Sequence, residues 1–154
     1  MKQPALWSLV MILALTSVIA CNKKDDNKPQ TVYTKSGLLI TNSQEVSATP
    51  SDASGTMNVS YDKTTKMLTL SATWANLSSD PVAAHIHGPA PRGQNAGVKV
   101  DFHDNVSTAS GTFNRIITVD ESSIKEDSLL KGFYYLNIHT PANPGGEIRG
   151  QIEF

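Results

Sequence analysis

The chain holds a single cysteine, Cys21, so no intramolecular disulfide can form and the fold must stand on its apolar core. Aromatic residues amount to only 6% and charged residues to 18%, with a formal net charge of -1. That balance offers no electrostatic footprint for nucleic acid, and no basic stripe is interleaved with aromatics. A Gly-x-Ser-x-Gly elbow, a phosphate loop and a close carboxylate pair are all missing, so no nucleophile or acid/base couple presents itself. What remains, 39% apolar residues in 154, suits one folded domain plus whatever precedes it.

Residues 1–20 read as an address. Lys2 gives a short basic start, an apolar run extends from Leu6 to Leu15, and small residues precede Cys21. This is the pattern of a secretory signal peptide, too short and wrongly flanked for a spanning helix. The run Ser17-Val18-Ile19-Ala20-Cys21 resembles a bacterial lipobox, although its first position departs from the usual Leu. The resemblance implies that Cys21 becomes the first mature residue and carries lipid, anchoring the chain to a membrane. Residues 22–30 contain no apolar side chain and read as a solvated tether that holds the domain roughly 15–20 Å from the lipid. Within it, Lys24-Asp25-Asp26 resembles the export signal of surface lipoproteins, which implies an outer membrane and an outward-facing domain.

From residue 31 to 154 the chain alternates short Val-, Ile-, Thr- and Tyr-rich runs with Gly, Pro, Asn, Asp and Ser punctuation. Eight such runs predict an all-β domain, a single antiparallel sandwich or barrel. The strands are expected over Val32 to Thr41, Gly55 to Tyr61, Lys66 to Trp74, Val82 to His87, Val98 to His103, Ser110 to Val119, Phe133 to His139 and Glu147 to Glu153. Between the sixth and seventh, Asp120 as N-cap, a Ser123/Glu126 capping box and Gly132 as terminator predict one short helix.

The histidines are the chemically informative residues. A strand turns successive side chains to opposite faces, so His85 and His87 share one face while Ala84 and Ile86 take the core. By the same alternation Tyr135, Asn137 and His139 share a polar face, and His103 lies on one with Asp101 behind it. A strand His-x-His sets two imidazoles about 6.5–7 Å apart at Cα, a spacing that suits two ligands of one copper or zinc ion. The alternative is that such histidines fasten neighbouring loops by hydrogen bonds. Glu147, Arg149 and Gln151 also share a face, read as a same-face ion pair covering a sheet edge, or else as a charged contact surface or a partner for His139.

Two stretches resemble a known signature. Ala84-His85-Ile86-His87-Gly88-Pro89-Ala90 is one; the other joins Leu136-Asn137-Ile138-His139-Thr140 to Asn143-Pro144-Gly145-Gly146-Glu147-Ile148-Arg149-Gly150-Gln151-Ile152. They are similar to the CHRD domain, with weaker support from Gln44-Glu45-Val46 and Ala53-Ser54-Gly55-Thr56. The resemblance implies an immunoglobulin-like or barrel-like β-domain in secreted or anchored proteins, with no catalytic activity attached. A fainter likeness, to copper/zinc superoxide dismutase, departs in having too few histidines for two metals, no disulfide and a shifted Arg. It implies at most a mononuclear site on a comparable barrel. Together these lead to a lipid-anchored envelope module that binds or scaffolds an unnamed envelope or extracellular molecule, with a copper or zinc protein using His85, His87, His139 and His103 as the alternative.

Overall fold

The computed structural model describes residues 29–48 and 50–154. The expected signal peptide, Cys21 and all but the end of the tether lie outside the described residues. Eight strands follow one another as β1 (Val32–Thr41), β2 (Ser54–Asp62), β3 (Met67–Ala75), β4 (Ala83–His87), β5 (Val98–Asp101), β6 (Gly111–Thr118), β7 (Tyr134–His139) and β8 (Ile148–Ile152). All pair antiparallel in one sheet of order β5-β4-β7-β8-β1-β2-β3-β6. The fold is therefore all-β, as the alternation predicts, and is a single sheet curled on itself. Its two ends come back together where Phe102, just past β5, meets Phe113 of β6 with ring centroids 5.1 Å apart. Nearby, Arg115 donates to the side chain of Asn105 at 2.6 Å.

Period-two alternation explains the interior. Met57, Val59 and Tyr61 of β2, and Leu68, Leu70, Ala72 and Trp74 of β3, are buried, while the residues between them are not. The hairpin joining them turns where Asp62 accepts the Thr64 N–H at 2.7 Å and Lys66 adopts φ +58. Ala84 and Ile86 of β4 and Leu136 and Ile138 of β7 extend the same apolar interior.

The helix departs from its expected start. α1 is Glu126–Leu130, and Lys125 at its N-cap makes no side-chain capping bond. Asp120 instead closes its own turn, its Oδ1 accepting the N–H groups of Ser122, Ser123 and Ile124 at 2.7–3.2 Å. Satisfying three donors within that turn leaves the carboxylate unavailable to the helix. Its end is as predicted: Gly132 (φ +73) donates to Leu129 and Phe133 to Ser128, both at 3.0 Å, the two bonds of a Schellman motif. Among the described residues no helix is long and apolar enough to cross a membrane.

Candidate metal centre

β4 and β7 pair in a register that sets Ala83 opposite His139, His85 opposite Asn137 and His87 opposite Tyr135. The sheet thus carries three histidines on one face of two adjacent strands. His85, His87 and His139 each offer a ring nitrogen, and these atoms all lie within 4.8 Å of one another. His85 Nδ1 and His139 Nε2 are 3.1 Å apart. Two nitrogens each 2.0–2.1 Å from one ion sit about 3.3 Å apart, so this pair already has the spacing of co-ligands. The remaining spacings, up to 4.8 Å, must close by as much as about 1.5 Å for all three rings to share one ion.

The face is not open to water as a sheet surface would be. All of β7 and β8 is buried, on both sides. Residues 88–97 fold back over it, with Ala90 donating to the Phe133 carbonyl at 2.7 Å and Ala96 donating to the Tyr135 hydroxyl at 3.1 Å. Residues 140–146 cover the other end. Each loop fixes one imidazole by its Nδ1: His87 on the Ala96 carbonyl at 2.9 Å and His139 on the Pro144 carbonyl at 3.0 Å. A carbonyl only accepts, so both Nδ1 atoms carry the proton and both Nε2 atoms present a lone pair. Burial pushes both histidines toward the neutral form, and His139 falls to about 4. His85 donates its Nδ1–H to His139, and its Nε2 lies 3.5 Å from the Asp101 carboxylate. His87 Nε2 is left buried with no hydrogen-bond partner.

Buried polar groups without partners are rare because they cost about 1–3 kcal/mol each. A lone pair held inward, in the right tautomer, beside two further ring nitrogens is what a cation with nitrogen affinity requires. Loop fastening and metal ligation are not rivals here, since His87 and His139 each use one nitrogen for a loop and leave the other for the centre.

His103 is not brought to this cluster. β5 stops at Asp101, Phe102 turns into the core, and His103 opens a 3-10 turn (His103–Asn105) with its Nδ1 at 2.7 Å from the Val82 carbonyl. Asp101 ends the strand by accepting the His103 N–H at 2.8 Å, a turn signal readable in Asp-Phe-His-Asp. The same Asp101 approaches His85 instead.

The Glu147, Arg149 and Gln151 face also needs correction, because β8 is an interior strand and all three are buried at 0–1% exposure. No ion pair links Glu147 to Arg149. Glu147 accepts from Ser51, Ser78 and Thr140 at 2.6–2.8 Å. Burial alone would raise its carboxyl, but these bonds outweigh burial and hold it at about 2. Arg149 donates to the Gln94 carbonyl at 3.0 Å and to Gln151 at 3.1 Å, and lies 3.4 Å above the Tyr135 ring. Tyr135 in turn stacks on His87, with centroids 5.1 Å apart and planes 8° from parallel. Gln151 holds the Ala90 and Gly132 carbonyls.

The Gly and Pro residues of the two motifs shape the covering loops. Gly88 and Pro89 are joined by a cis peptide bond, and Gly88 passes against the Tyr134 ring where a Cβ would collide. Gly146 (φ +121) lies against Asn137 and Glu45 with no room for a side chain. Gly145 faces open space, and Gly150 lies close under the Leu39 carbonyl. Asn143 accepts the Gly146 N–H on its carbonyl at 3.0 Å, closing the turn through Pro144. Glu45, which sequence reasoning left outside the site, accepts from Asn137; burial raises its carboxyl to about 7. Its only sequence signal was the Gln-Glu-Val run.

The family model of the CHRD domain matches residues 38–152, most of the chain, and the chain belongs to that family. No curated protein and no solved structure matches it.

Proposed function

We propose that this CHRD-domain chain is a non-catalytic binding module of the cell envelope, held by lipid on Cys21 and facing outward, whose ligand is one copper or zinc ion. The observation that supports the metal is the convergence of His85, His87 and His139 with two Nε2 lone pairs turned inward by loop carbonyls. Histidine imidazoles suit both metals, and three protein ligands leave one coordination position open. To ligate through Nδ1, His85 would carry its proton on Nε2 instead, where Asp101 at 3.5 Å would be its outer partner as the loop carbonyls are for the other two rings.

Metal analysis tests this reading on the full chain carrying Cys21→Ser, which takes the only thiol out of competition. One equivalent of copper or zinc and a raised melting temperature are expected. Both should be lost in His87→Ala and His139→Ala and retained in His103→Ala. Absence of uptake, or equal uptake in His87→Ala, overturns it. The anchor is tested by acyl labelling: Cys21→Ala should abolish the label and release the domain, and persistent membrane retention counts against it.

A second reading, docking of another envelope or extracellular molecule, has its support in a cleft of about 290 Å³ walled by Glu45, Asn95 and Asn143 to Gly146. A ligand there would touch the same loops that orient the histidines.

A further inference from the structure

We propose that the three-histidine centre selects monovalent copper over divalent ions; the inference rests on the metal reading above and names the charge state of its ligand. The argument is electrostatic. The three ligands are neutral imidazoles, and no carboxylate or thiolate joins their group among the described residues. A divalent ion would therefore keep its whole double charge in a site covered by two loops. The desolvation penalty grows as the square of the charge, so a monovalent ion meets a much smaller one.

The surroundings push the same way. Arg149 is 1% exposed and forms no salt bridge among the described residues. Its guanidinium lies on the Tyr135 ring, and that ring lies on His87, so one aromatic layer separates a permanent buried cation from a ligand. Burial raises Glu45, the acid nearest in influence to Arg149, to about 7, so it is only partly ionised at neutral pH. Glu147 spends its charge on the donors from Ser51, Ser78 and Thr140. The one anion facing a ligand is Asp101, whose side chain is 62% exposed and screened by solvent. Coordination number adds a smaller push, since zinc on three imidazoles still needs a fourth ligand such as water, and divalent copper prefers a tetragonal set.

The test is a pair of competition titrations on the full Cys21→Ser chain. One uses Cu(I) against a cuprous chelator under anaerobic ascorbate, and the other uses Cu(II) and Zn(II) against a divalent chelator. Preference is the ratio of dissociation constants, in which a general folding defect largely cancels. The wild-type ratio should favour Cu(I). Arg149→Met should reduce the preference about tenfold, and Arg149→Lys should keep it. Because a buried Arg149 variant can fail to fold, the exposed Asp101→Asn change serves as the second probe, and it should raise the preference several-fold. Stoichiometric zinc or Cu(II) held more tightly than Cu(I), or a ratio indifferent to both charge changes, overturns this inference and leaves the metal site standing. No uptake of any of the three ions overturns both.

Discussion

The sheet has two unlike halves. In β2 and β3 buried aliphatic residues alternate with residues that reach water, whereas every residue of β7 and β8 is buried. The first half is an ordinary antiparallel arrangement, one face dry and the other wet. At β7 and β8 both faces are dry, and one of them carries Tyr135, Asn137, His139, Glu147, Arg149 and Gln151. Apolar burial needs no directional partners, but each polar atom on the second face does. Nearly all are supplied, by loops 88–97 and 140–146 and by Ser51 and Ser78. Among the described residues the two buried side-chain atoms left without hydrogen-bond partners, His87 Nε2 on β4 and Asn137 Oδ1 on β7, lie on that side of the sheet. A bare histidine nitrogen among so many satisfied buried groups is the observation on which the proposed metal site rests.

The largest expected effect sharpens the contrast from the aliphatic side. Leu70 is fully buried between β2 and β6 partners. Leu70→Ala should lower unfolding free energy by about 2–5 kcal/mol in urea titrations, with metal uptake unchanged in the folded fraction. If uptake falls in step with stability below the unfolding transition, the halves are not separable.

The next effect comes from the polar side. Glu147→Ala should destabilise by about 3 kcal/mol at pH 7, because it strands the donors of Ser51, Ser78 and Thr140. It should also change the acid limb. The carboxyl sits at about 2 in the folded chain against 4.5 in the unfolded one, so its stabilisation is present above pH 4.5 and lost as pH falls toward 2. Urea titrations between pH 6 and 2.5 should show a shallower slope in the variant; parallel slopes would mean that Glu147 carries no such share.

The halves also differ in how legible they are from sequence. β1 falls at its expected bounds, and the β2–β3 hairpin falls within a residue of expectation, because in β2 and β3 one wet face writes its period directly into the residue order. Alternation likewise puts His85 and His87 on one face. Their meeting with His139 depends on the pairing of β4 with β7, a contact 54 residues apart that no local pattern encodes. Burial of Glu147, Arg149 and Gln151 was hidden for a related reason. The pattern shows which side they face, but only the path of residues 88–97 shows that the side is covered. Alternation misplaces His103 because the strand ends before it, at Asp101, whose carboxylate accepts the His103 N–H.

Glu45 gives the smallest effect and the finest comparison, since it lies in the same half as Glu147 and titrates in the opposite sense. Burial raises it to about 7, and the side-chain bond from Asn137 and the charge of Arg149 only partly offset that. Glu147 has several donors where Glu45 has one, and the donors decide the direction. The sign follows. A carboxyl whose folded pKa lies above its unfolded 4.5 favours the folded state at low pH, and that contribution is lost as pH rises through about 7. Glu45→Gln keeps an amide oxygen for Asn137 and removes the charge. The variant should match the parent near pH 5 and exceed it by on the order of 1 kcal/mol at pH 8, discounted for partial solvent access. Urea titrations at the two pH values decide it; a difference that does not change with pH would show that Glu45 stays ionised, and that its separation from Glu147 is one of position and not of hydrogen-bond supply.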